Sequence, residues 1–186
     1  MMTELSLNVL DIVENSVSAK ASFISISIEA NTEADTILIE INDNGCGMAS
    51  EQLKKVTDPF FTTRTTRNVG LGVPFFKQSA EMTGGSFSIN SEVGKGTEIK
   101  AVYVLSSIDR FPLGNICLTI HQLILMHQEC DFLYRYCYDD KEFTLDTREF
   151  RAILGGILFD TPDVSAYIKS YLADNTDEVN AGKPVI

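Results

Sequence analysis

No run of about 18 apolar residues occurs in this chain of 186 residues, and the opening Met1-Met2-Thr3-Glu4 lacks the basic start and apolar stretch of an export signal. The sequence therefore predicts a cytoplasmic protein without a membrane segment. Cations are scarce as well: 15 Lys and Arg against 26 Asp and Glu leave a formal net charge of −11. So thin a spread offers no footprint for a nucleic-acid backbone or an anionic lipid surface. The four cysteines, Cys46, Cys117, Cys130 and Cys137, contain no CxxC pair, and reduced thiols are expected. There is no internal repeat and no Pro/Gly/Ser-rich linker. With 44% hydrophobic and 22% charged residues the composition excludes general disorder.

A chain of this length buries one core and carries one small addition. Leu5, Val9, Ile12, Val13 and Ser16 form one stripe at helical spacing over Leu5–Val17. Phe23–Glu29 and Thr36–Asn42 alternate Ile24, Ile26, Ile28 and Ile37, Ile39, Ile41 with other residues, which predicts two half-buried strands. Ser50–Val56 reads as a short helix capped by Ser50, and 58–68 shows no period, as expected of a mobile loop. A helix over Leu71–Met82, stopped by Gly84-Gly85, precedes strands Ser86–Asn90 and Thr97–Leu105. The order α-β-β-α-β-β predicts an α+β fold, a two-layer α/β sandwich over residues 1–105 with helices on one face of a sheet.

Beyond Ser106 the pattern restarts with a helix Leu113–Gln128, strands Asp131–Tyr138 and Glu142–Leu145, and helices near Thr147–Leu154 and Pro162–Ala173. This predicts a small α+β C-terminal appendage over residues 106–174 and an unfolded tail over 175–186. Cys117, His121, His127, Cys130 and Cys137 match no zinc spacing and are expected as buried thiols and solvated imidazoles. Phe132, Tyr134, Tyr136 and Tyr138 alternate on one strand, as a packed or partly exposed face would.

Three local patterns suggest a nucleotide site. An acidic protein still binds an anion where backbone N–H groups, a few cations or a metal ion reverse the local field. Asp11 and Asn15, four apart on the first helix, share a side that flanks the apolar stripe. Asp43-Asn44-Gly45-Cys46-Gly47-Met48 follows a strand: its carboxylate can accept from an exocyclic amine, and its two glycines let a flat ring approach the backbone. Gly70-Leu71-Gly72 opens a helix whose free N–H groups suit a phosphate, and Arg64 and Arg67 precede it.

Read in order, Asp11-Ile12-Val13-Glu14-Asn15-Ser16, the Asp43–Met48 segment, Asp58-Pro59-Phe60-Phe61-Thr62-Thr63, Gly70-Leu71-Gly72-Val73 and Gly94-Lys95-Gly96-Thr97 resemble the boxes of the GHKL superfamily. Its members include gyrase B, heat-shock chaperone ATPases, histidine kinases and MutL. The resemblance covers Leu5 to about Leu105 and implies the Bergerat ATP-binding fold, with ATP and Mg²⁺ as cofactors. Asn15 would then be the side-chain Mg²⁺ ligand, Asp43 the carboxylate that reads the adenine amino group, and Asp11 the general base. Gly45, Gly47 and Met48 would border the adenine, and Thr97 would lie beneath Asp43, bonded to it or to a water. Phe60, Thr62, Thr63, Arg64 and Arg67 would belong to a lid, and Gly70, Leu71, Gly72 and Val73 would hold the phosphates.

Two departures stand out. The superfamily usually has Glu where this chain has Asp11, one methylene shorter, and a base must reach its water within hydrogen-bond distance. Another Gly often stands where this chain has Asn68 or Val69. The lid and Gly-Leu-Gly boxes are most similar to those of histidine-kinase ATP domains, but the sequence predicts no hairpin with a phosphoacceptor histidine ahead of them, and autophosphorylation is not expected. The resemblance is compatible with phosphotransfer to a partner protein in trans, with an ATP-hydrolysing switch, or with a nucleotide sensor of negligible turnover. It names no partner protein.

Overall fold

The computed structural model describes residues 3–56, 72–181, 183 and 186. The expected lid, with Phe60, Thr62, Thr63, Arg64 and Arg67, and the box residues Gly70 and Leu71 lie outside the described residues.

Helix α1 (Leu5–Ser18) is followed by strands β1 (Phe23–Asn31) and β2 (Thr36–Asp43), the short helix α2 (Ser50–Leu53), helix α3 (Gly72–Met82) and strands β3 (Ser86–Glu92) and β4 (Gly96–Val104). Then come α4 (Ile116–Met126), β5 (Asp131–Tyr138), β6 (Lys141–Asp146), α5 (Thr147–Leu154) and α6 (Pro162–Asn180). The strands form one sheet in the order β3-β4-β2-β1-β5-β6. The fold is α+β with the helices laid on one face, as the alternating isoleucines require: Ile24, Ile26, Ile28, Ile37, Ile39 and Ile41 are each at most 1% exposed. The α1 stripe of Leu5, Val9, Ile12 and Val13 closes onto that face. The opposite face is polar and wet, crossed by ion pairs such as Arg135 Nη1 with Glu29 at 3.2 Å and Lys100 Nζ with Glu98 at 2.8 Å.

Two expectations for the second half change. The strands of the expected appendage over 106–174 extend the main sheet; β5 pairs parallel with β1, Ile24 opposite Phe132 and Ile28 opposite Tyr136. The reason is the shared buried face. Phe132, Tyr134, Tyr136 and Tyr138 are each at most 1% exposed and continue the isoleucine rows, which leaves the aromatic stripe fully packed. The segment from residue 175, expected as an unfolded tail, is helical to Asn180. Thr176 and Val179 continue the buried stripe of Ile168 and Leu172, and Asn180 Oδ1 accepts a 2.9 Å bond from the Tyr136 hydroxyl.

Smaller differences are local. Ser50 is the first residue of α2 and Ala49 precedes it as the cap, with Gln52 Oε1 accepting from the Ala49 N–H at 3.1 Å. The imidazoles expected to be solvated are enclosed: His121 is buried with Nε2 3.0 Å from Ser165 Oγ, and His127 Nε2 lies 2.8 Å from Glu14 Oε1.

Candidate nucleotide site

Helix α1 carries two adjacent residues that face different parts of the site. Ser16, only 4% exposed, donates its hydroxyl to Oδ2 of Asp43 at 2.6 Å. Asn15, about 100° round the helix, faces the start of α3: a Cβ placed on Gly72 would stand 3.6 Å from Asn15 Nδ2 and 3.3 Å from Asp11 Oδ2. The structure thus brings Asp11, Asn15 and Gly72 together, as the order of the boxes implied. Ser18 turns away, donating to the Glu14 carbonyl at 2.7 Å. Val73 is buried in the core beneath the α3 start.

Asp43 ends β2 with its carboxylate fixed at both oxygens. Oδ1 accepts from the Gly45 N–H at 2.9 Å while Oδ2 accepts from Ser16. A Cβ on Gly45 would stand 3.0 Å from Oδ1, so glycine leaves the carboxylate uncovered on that side. Gly47 adopts φ +64°, and a side chain there would collide with the Glu92 carbonyl at 2.0 Å. The loop is held from three sides: Cys46 N–H donates to the Ala19 carbonyl at 2.8 Å, Met48 N–H to Ser91 Oγ at 2.9 Å, and Gly94 N–H to the Cys46 carbonyl at 2.8 Å. It is a fixed shelf of backbone beside an anchored carboxylate.

Thr97 lies opposite Asp43 in the β2–β4 ladder, as expected for a residue beneath it. Its hydroxyl is engaged sideways, 2.9 Å from Ser91 Oγ. Gly96, at φ +108°, lets β4 pass close under β2, where a Cβ would lie 1.8 Å from the Asp43 carbonyl. The Gly94-Lys95-Gly96-Thr97 box therefore supports the carboxylate by permitting close approach.

Sequence reasoning missed three supporting residues. Ser16 lies in the apolar stripe of α1, where a hydroxyl on an otherwise aliphatic face is the available signal. Ser91 ties the shelf to Thr97, and Asn44 Oδ1 accepts from the N–H groups of Ser22 and Phe23 at 2.9 and 3.0 Å, fastening the loop to the start of β1. Ser91 does not stand out in the sequence, and Asn44 is visible there only as a member of the Asp43–Met48 segment.

Residues 2–106, more than half of the chain, match the family described as histidine kinase-, DNA gyrase B- and HSP90-like ATPases. The chain belongs to that family. Membership in these ATPases implies an ATP-binding domain, and the residues present fit one: an anchored carboxylate, a glycine shelf, and a helix start without a Cβ beside Asn15.

Curated relatives of this ATPase domain include sensor protein DegM of Bacillus sp. (strain B21-2), 38% identical over 98 residues, with 46% of this chain and 26% of the relative covered. Sporulation kinase C of Bacillus subtilis (strain 168) is 31% identical over 98 residues, covering 53% of this chain and 23% of the kinase. Sensor histidine kinase ZraS of Escherichia coli (strain K12) is 31% identical over 88 residues, covering 47% and 19%. The matches thus span about a quarter or less of each relative's length. Among solved structures, the N-terminal domain of a DNA repair protein superposes with a TM-score of 0.55 at 16% identity, over 78% of this chain and 53% of that one. At 78% coverage the likeness in fold reaches past residue 106. Among the described residues no helix is long and apolar enough to cross a membrane.

Proposed function

We propose that the chain binds Mg²⁺ and ATP at this site and transfers the γ-phosphoryl group to a partner protein in trans. The observation that carries the ATP reading is the doubly anchored Asp43 carboxylate beside the Gly45–Gly47 shelf, which suits the amino group and flat face of adenine. The Asn15 side-chain oxygen would hold the metal ion, which supplies charge neutralisation to the phosphates; the other ligands come from phosphate oxygens and water. The phosphates would meet the N-terminus of α3, an 11-residue helix, where free N–H groups and the helix dipole favour negative charge.

Asp11 is the proposed base. It would take the proton of the acceptor as the acceptor atom bonds to the γ-phosphorus and the bridging Pβ–O–Pγ bond breaks, releasing ADP. Support for an acceptor in another protein comes from the two histidines of this chain, which are both engaged, His121 with Ser165 and His127 with Glu14. The kinase names of the relatives support phosphotransfer in general. A hydrolytic switch is the second reading, favoured by the proximity of Asp11 to Gly72 at the phosphate end.

Incubation with γ-labelled ATP, alone and with a lysate of the source organism, tests the proposal. Label on a second protein supports phosphotransfer. Free phosphate alone supports the switch, and ATP left intact in both reactions overturns both.

A further inference from the structure

Helices α5 and α6 line a groove of about 420 Å³ on the surface, remote in sequence from every box of the nucleotide site. Its apolar lining comes from Phe150, Ile153 and Leu154 of α5 and from Val164, Tyr167 and Tyr171 of α6. The aromatic wall is already ordered. Phe150 meets Tyr171 edge-on with centroids 5.7 Å apart, and Tyr171 donates its hydroxyl to the Thr144 carbonyl at 3.3 Å. The outer lining is bare: Ile153 is 84% and Tyr167 60% exposed, with Ile157 and Leu158 continuing the apolar surface just beyond α5. A patch of this kind on a protein with a well-formed core marks a binding surface.

Charge selects the occupant. The lining residues that carry charge are Glu149 and Asp163, both acids, and on α6 the stripe Asp163, Tyr167, Tyr171, Asp174 extends the acidic edge at spacings of about one helical turn. The nearby cations are drawn elsewhere. Arg148 is bound bidentately to Asp146 and lies over the Phe23 ring, while Arg151 is bound to Asp131 at 2.8 Å and lies over Phe159. Lys169 stands about half a turn away from Tyr167 on α6. A second copy of the chain would bring acid against acid at this face, and an anionic membrane would be repelled from it.

We infer that the α5–α6 groove is a docking site for an amphipathic helix of a partner protein, its apolar face on Ile153 and Tyr167 and its Lys or Arg flanks on Glu149 and Asp163. An apolar trough between two helices takes a third helix through anchors at i, i+3 or i+4, and i+7. The acidic edge sets which helix it accepts. The site is independent of the nucleotide reading, since none of its residues belongs to that site.

The test uses the full chain and a labelled synthetic 18-residue amphipathic helix with a leucine face and lysine flanks, compared by fluorescence anisotropy with a twin whose flanks are glutamate. The lysine peptide should bind at least about tenfold more tightly than the glutamate twin at low salt, where such steering is strongest. Ile153→Asp, at an exposed position, should weaken it by about tenfold or more without changing the melting temperature. The pair Glu149→Lys and Asp163→Lys should reverse the preference. Equal binding of the two peptides overturns the proposal, as does an unaltered affinity in Ile153→Asp. Self-association of the wild-type chain that Ile153→Asp abolishes would assign the groove to a second copy and overturn it as well.

Discussion

The Ser16 hydroxyl donates a 2.6 Å hydrogen bond to Asp43 Oδ2 and so joins the helix that carries Asn15 to the strand end that carries the carboxylate proposed to read adenine. A hydrogen bond to a charged group contributes roughly 1.5–3 kcal/mol, part of which is regained when Asp43 reorients toward water. Ser16→Ala is therefore expected to weaken ATP binding by about 3- to 10-fold. Isothermal titration calorimetry reads this directly. An affinity within twofold of wild type would detach Ser16 from the site.

Gly72 separates a folding role from a binding role. As the first residue of α3 it gains helix propensity on substitution by alanine, which offsets a tight contact with Asp11, so the melting temperature should stay close to that of wild type. Its added Cβ, however, would stand 3.2 Å from Asp11 Cβ and 3.6 Å from Asn15 Nδ2, at the edge of the space proposed for the phosphates. Gly72→Ala should lose affinity for ATP more than for adenosine. Equal losses for the two ligands would place the effect outside the phosphate site.

Much of this arrangement was legible in the sequence. The period-2 isoleucines of 24–28 and 37–41 and the 3.6-period stripe of α1 each bury one face, and that pattern dictates strand and helix with little help from the rest of the chain. The grouping of Asp11, Asn15 and Gly72 followed from the order of the boxes. What stayed hidden depends on contacts between distant segments. Alternation over 131–138 identifies a strand but not its neighbour, so its parallel pairing with β1 was not readable. Asp174-Asn175-Thr176-Asp177 looks like a helix end, and only the burial of Thr176 and Val179 reveals that α6 continues. The support that Ser91 gives to Met48 and Thr97 exists only once β3 lies beside the loop.

Asp11 is expected to act on turnover and not on binding. Asp11→Asn should leave ATP affinity nearly intact and reduce phosphate release or transfer by about 10²–10⁴-fold, the usual contribution of a positioned base. Asp11→Glu restores the longer side chain and should raise the rate if reach alone limits it. Steady-state assays alone and with any copurifying protein test this, and an Asp11→Asn variant as fast as wild type in both would remove Asp11 as the base.

The cysteines provide a probe of nucleotide occupancy. Cys46 is exposed on the shelf between Gly45 and Gly47, whereas burial pushes the Cys130 thiol up to about 11. A raised pKa leaves less thiolate at a given pH, so at pH 8 Cys130 should resist maleimide while Cys46 reacts, and Cys130 should gain reactivity only as the pH climbs toward 11. Saturating ATP should slow the labelling of Cys46. Mass spectrometry of labelled peptides decides it, and a Cys46 rate indifferent to ATP would argue that the shelf does not face the nucleotide.

The central claim is that Asp43 reads adenine, and calorimetric titration of ATP with Mg²⁺ into wild type and Asp43→Asn tests it most directly. The Asn side chain keeps the shape and can still accept from Gly45, but it replaces a charged acceptor with a neutral one. Loss of that charge assistance corresponds to roughly 1.5–3 kcal/mol, or about a 10- to 150-fold weaker affinity. The same substitution should leave the melting temperature of the nucleotide-free protein close to that of wild type. Wild-type binding of ATP with a large loss in Asp43→Asn is the predicted result; an affinity within twofold of wild type, or no binding by the wild-type chain, would contradict it.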